Sequence, residues 1–82
     1  MFVDASAIIA ILSQEPEKNA FIDALDATPS EERITSVVAV WEAVAGFARR
    51  MSIPLAVAEA DVREFLATAS IKVVPLTLDH LS

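Results

Sequence analysis

A short apolar run ending in a carboxylate opens this chain, Met1-Phe2-Val3-Asp4, and the helix-forming stretch Ala5-Ser6-Ala7-Ile8-Ile9-Ala10-Ile11-Leu12 follows with no linker between them. A strand that runs straight into a helix constrains the fold more than any other feature here. It delivers an acid to the carboxyl edge of a sheet, where open α/β folds collect their ligands. The pattern then recurs. Arg33-Ile34-Thr35 is short and β-branched, Ser36 is a good helix cap, and a helix to about Met51 carries the lone acid Glu42. Ile71-Lys72-Val73-Val74 reads as a further strand.

The segments between these strands are helical. Residues 5–13 are apolar nearly all round, which predicts a buried first helix. Gln14-Glu15-Pro16-Glu17 opens a second helix with a stripe of Ala20, Phe21, Ala24 and Leu25, and Thr28-Pro29-Ser30 stops it. In the third helix Val37, Val38, Trp41, Val44, Ala45 and Ala48 recur at helical spacing, so Trp41 is expected in the core rather than as a base-stacking platform. Arg49-Arg50 close it where cations suit the negative end of the dipole. After Ser52-Ile53-Pro54, a fourth helix presents Leu55, Ala58, Val62, Phe65, Leu66 and Ala69. Thr77 caps a last helix start, with Asp79 in its first turn and His80 beside it. Strands joined by helical crossovers predict an α/β fold with a parallel sheet and right-handed connections. The final stretch is too short to be a stable helix alone, so the chain is expected to be truncated within an element.

Composition bounds the function. With 82 residues and 55% hydrophobic content, the chain fits one small layered domain whose sheet is covered on both faces. Its net charge of −6 argues against gripping nucleic acid through a basic surface, unless bound metal ions supply the positive charge. There is no cysteine, hence no disulfide framework and no thiolate metal site, which fits a reducing cytoplasm. The apolar segments are too short and too broken by charge to span a bilayer, and no basic residue precedes the first one as a secretory signal requires. A glycine-rich phosphate loop is absent, which excludes nucleotide binding of the Rossmann or Walker type.

Asp4 and Glu42 are the candidate chemistry. On a helical wheel Glu42 falls beside Val38 and Ala45, at the border of the expected apolar stripe, where a partly desolvated carboxylate needs a partner. That partner is either a Mg²⁺ or Mn²⁺ ion shared with Asp4 or an ordinary ion pair with Arg49 or Arg33. Ser6 is placed to hydrogen-bond Asp4 and cap the first helix, or to orient a metal-bound water. Gly46 allows close approach of substrate or of another helix. Arg49 stands two turns after Glu42, to meet a phosphate or simply to neutralise the helix end.

Val3-Asp4-Ala5-Ser6-Ala7, followed by Ile34-Thr35-Ser36-Val37-Val38 leading to Glu42, resembles the PIN domain, and more narrowly the VapC toxins of type II toxin–antitoxin pairs. The resemblance covers essentially the whole chain and implies a three-layer α/β/α PIN-like fold, with residues 1–82 as the N-terminal part of a single PIN domain. It implies a cytoplasmic, metal-dependent endoribonuclease acting on RNA, neutralised by a VapB-like antitoxin, and the edge expected at Phe2-Val3 predicts a homodimer or another partner chain. By motif position Asp4 and Glu42 would coordinate Mg²⁺ (or Mn²⁺), and Ser6 would assist beside Asp4. The family's further pair of acids, in a Gly-Asp helix start and a later acidic loop, has no match here, and the role is not transferred to Asp79. The expectation is therefore that these residues alone cleave RNA poorly. The alternative function is a catalytically incomplete PIN fragment that binds an antitoxin or itself. Receiver domains and haloacid-dehalogenase-like phosphatases fit worse, because Pro75 and Ser6 stand where those families need an acid.

Overall fold

The computed structural model describes residues 1–75. These form helices α1 (Ala5–Leu12), α2 (Lys18–Asp26), α3 (Val37–Met51) and α4 (Leu55–Thr68), with strands β1 (Ile34–Ser36) and β2 (Lys72–Val74). The helix start expected at Thr77, with Asp79 and His80, lies outside the described residues. No helix among the described residues is long and apolar enough to cross a membrane.

The sheet is parallel, as strands joined through helices require. Ile34, Thr35 and Ser36 of β1 pair with Lys72, Val73 and Val74 of β2. On the other side of β1, Phe2 forms a parallel bridge to Ile34. The Val3 amide donates to the Ile34 carbonyl at 2.7 Å, and the Ile34 amide donates to the Met1 carbonyl at 2.9 Å. The first strand is thus a single bridge, because the chain turns into α1 immediately after it. Thr35 fastens this junction: it is fully buried, and its hydroxyl donates to the Val3 carbonyl at 2.6 Å.

The core gathers Ala7, Ile8 and Ile11 from α1 with Val44 and Phe47 from α3 and Ala58, Val62 and Leu66 from α4. Here the sequence-based expectation for α3 fails. Its buried positions are Ala39, Val40, Ala43, Val44, Phe47 and Ala48, whereas Val37, Val38, Trp41 and Ala45 are exposed. Only Val44 and Ala48 of the expected stripe face inward. The physical reason is that α3 carries apolar residues on more than one face, so periodicity alone does not select the inward one. The attachment of α3 to β1 sets that phase, and the small residues Ala39 and Ala43 lie on the inward side. Gly46 has a packing role, because a Cβ there would stand 2.5 Å from Cδ1 of Ile9 in α1. Leu55, expected on the apolar stripe of α4, is also exposed, in the first turn beyond Pro54. Ala20 and Ala24 of α2 are exposed too, and Leu25 is that helix's buried anchor.

Arg33 connects three segments rather than pairing with an acid. Its Nε donates to the Thr28 carbonyl at 3.0 Å and its Nη1 to the Ala69 carbonyl at 2.8 Å. Ala69 is the C-cap of α4, where a cation suits the dipole. Arg33→Met, which keeps the apolar stem and removes both donors, is expected to cost about 1–3 kcal/mol. Urea denaturation checks this; an unchanged midpoint would mean that water replaces both bonds without penalty.

Candidate functional site

Asp4 has extended geometry at the end of the first strand and is itself the N-cap of α1. Its Oδ1 accepts from the Ala7 amide at 2.9 Å and from the Ser6 hydroxyl at 2.7 Å. Ser6 therefore supports the cap without being the cap. The Ala7 amide, followed by the Ser6 hydroxyl, holds the Asp4 carboxyl below its ordinary value; slight burial opposes them. Asp4 is ionised at neutral pH, with the Ser6 hydroxyl and Ala7 amide bonds both on Oδ1 and the Ser6 amide also favouring the charged form.

The second strand–helix junction copies the first. Ser36 is extended and caps α3, its hydroxyl accepting from the Ala39 amide at 3.0 Å. Val3 is held against Thr35 by the 2.6 Å bond, and the next residue on each side, Asp4 and Ser36, caps a helix at the carboxyl end of its parallel segment. The N-termini of α1 and α3 thus open at one edge, with their unpaired amides and the positive ends of their dipoles. An anionic ligand or an ion-bound phosphate suits that edge electrostatically.

Glu42 lies on the turn after this, roughly 9 Å along the helix axis from Ser36. It is exposed, which corrects the expectation of a carboxylate at the border of a buried stripe; Val38 and Ala45, its neighbours on the wheel, are exposed as well. The ion pair with Arg33 does not form, since Arg33 is engaged by carbonyls, and no pair with Arg49 is present among the described residues. The ion pairs there are Arg50–Glu15 and Arg63–Glu59, each at 2.7 Å.

The structure brings Ser6 onto Asp4 directly and carries Glu42 on the outward face of the helix that starts next to Asp4. Both acids are hard oxygen donors on exposed positions, the donor chemistry that Mg²⁺ or Mn²⁺ takes while retaining waters. Among the described residues no group of three or more His, Cys, Asp or Glu is placed to hold an ion. A cleft of about 310 Å³ lies elsewhere, lined by Leu12, Phe47, Asp61, Glu64, Phe65 and Thr68. It meets α1 at its far end from Asp4 and contains none of the candidate residues. Trp41 departs from its expected place. Expected in the core, it stands 50% exposed beside Glu42. The signal for it was the alternative apolar stripe Val40, Ala43, Val44 and Phe47, which fills the core without it.

The family model described as PIN domain matches residues 1–82. Comparison with curated proteins gives no match.

Proposed function

The chain belongs to the PIN domain family, and from that membership we propose that it is a metal-dependent endoribonuclease, the toxin of a type II toxin–antitoxin pair. Membership supports a nuclease-type function on nucleic acid, in a family whose nucleases generally use divalent metals. The observation that carries the proposal is Asp4, ionised and clamped by Ser6 and Ala7 where the first strand gives way to α1.

In this reading Asp4 and Glu42 hold Mg²⁺ (or Mn²⁺) and Ser6 fixes the Asp4 carboxylate through its hydroxyl. When bound, such an ion supplies a lowered water pKa and charge stabilisation for phosphodiester hydrolysis. Asp4 and Glu42 contribute negative charge and position; the amides at the starts of α1 and α3 favour the substrate phosphate. The toxin assignment rests on the two sequence motifs, and it brings a VapB-like antitoxin, a homodimer and a cytoplasmic setting with it. Exposed Phe2, on an outer segment of the sheet, and exposed Val37 and Val38 favour such association.

The exposed apolar residues Phe2, Val37 and Val38 favour a second reading, a catalytically incomplete PIN fragment that binds an antitoxin or itself. Mn²⁺ titration followed by NMR separates the readings. Selective broadening at Asp4 and Glu42, together with Mg²⁺-dependent RNA cleavage that Glu42→Gln reduces at whatever rate the protein shows, supports the nuclease. Broadening spread evenly over the acidic surface, with no cleavage, leaves the binding module.

A further inference from the structure

We propose that Trp41 is a substrate-positioning residue that stacks on an unpaired base of RNA beside the Asp4–Glu42 site; this rests on the nuclease reading above. Helix α3 buries Val40, Ala43, Val44 and Phe47 and turns Trp41 and Glu42 to solvent. The sole tryptophan of the chain is 50% exposed one residue before the candidate metal ligand. A large ring held in water forgoes the burial that would stabilise the fold, and the core already closes without it. On the same outward side, Ala45 is small and exposed one turn on, so nothing from that position screens the ring. Arg49, also exposed, follows Glu42 by two turns and lies on nearly the same helical line.

Charge decides what kind of contact can hold RNA here. The chain has 6 Lys and Arg against 12 Asp and Glu. Of the cations, Arg50 and Arg63 are paired with glutamates, and Arg33 is engaged by backbone carbonyls. Few are left to neutralise phosphates, so counterion release contributes little affinity. Stacking does not depend on net charge, and aromatic side chains on which unpaired bases lie are the common alternative. An unpaired base on Trp41 would bring its flanking phosphate toward the line of α3 that carries Glu42 and, two turns on, Arg49. A single-stranded segment is required, because bases within a duplex are already stacked on each other.

The sole tryptophan reports on itself. A single-stranded oligoribonucleotide is titrated into the protein in EDTA, so that binding is read without cleavage, and Trp41 emission is followed. The expected result is saturable quenching, protection of the ring from acrylamide, and no quenching by the same sequence as a duplex. Affinity should fall less than about 10-fold between 50 and 200 mM salt, as for fewer than two phosphate contacts. Trp41→Ala, followed by the anisotropy of a labelled oligonucleotide, should weaken binding about 5- to 100-fold, and Trp41→Phe should restore most of it. If Trp41→Ala does not fold, acrylamide protection in the unsubstituted protein still decides. Binding that leaves Trp41 emission and acrylamide access unchanged, or that survives Trp41→Ala intact, overturns the stacking role while the nuclease reading stands. A blue shift that grows with protein concentration without RNA would put a second copy over the ring, and it too overturns the stacking role alone. No binding by the unsubstituted protein, with no Mg²⁺-dependent cleavage, would sink the nuclease reading itself.

Discussion

Asp4→Asn is expected to remove divalent-ion binding and to lower Mg²⁺-dependent RNA cleavage at least about 100-fold, equivalent to about 2.7 kcal/mol, while leaving the melt nearly unchanged. Asparagine is as good an N-cap as aspartate, so its carbonyl can accept from the Ala7 amide as Asp4 Oδ1 does. It lacks the charge that holds an ion. Asp4→Ala removes both functions and should lose about 1 kcal/mol of stability in addition, a fall of about 4–8 °C in a domain of this size. The pair of variants therefore separates capping from chemistry. The pH dependence has a definite sign. The folded Asp4 carboxyl lies below its ordinary value, so its charge-dependent stabilisation is complete above the ordinary carboxylate range. It is lost as the pH falls through the lowered folded value. The melting difference between the protein and its Ala variant should shrink through that acid window and stay constant above it. Equal metal affinity in both proteins at neutral pH would end the assignment of Asp4 as a ligand.

Ile8→Ala should come close to unfolding the protein. Ile8 is 0% exposed, within the cluster shared by α1, α3 and α4. Truncating such a side chain removes transfer free energy and leaves a cavity, about 2–5 kcal/mol together. A domain of this length has a total stability of about 4–12 kcal/mol, so one substitution consumes a large part of it. The control is on α3. Val44→Ala should cost more than about 1 kcal/mol, whereas Val38→Ala, on the exposed face, should stay within about 0.5 kcal/mol. Thermal melts of the three variants test the phase of α3 directly. Equal losses from Val38 and Val44 would mean that the outward face is covered in solution.

What could be read without coordinates was local. Asp4 bonds the Ala7 amide and Ser36 bonds the Ala39 amide, each within three residues, so residue type and order suffice to place both strand–helix junctions. Helix limits followed from the same short-range chemistry: Ser36 to Met51 matched, and the second helix began only slightly later than Pro16 suggested. The parallel sheet followed from strands separated by helices. The places of Asp4, Ser6 and Glu42 in their elements were readable because each sits at or past a junction that the sequence marks.

Tertiary structure decided which side of each element faces inward. In α3 two overlapping apolar stripes satisfy the same period, and only the anchoring of the helix on β1 and its packing against α1 and α4 choose between them. That choice carried Trp41 and Glu42 out to solvent together and left Val40, Ala43 and Phe47 inside. Arg33 found carbonyls of Thr28 and Ala69, the latter 36 residues away, instead of a carboxylate. A helix period is a property of one segment and specifies spacing. The direction in which a face points depends on what the rest of the chain packs against it, and only the folded arrangement contains that.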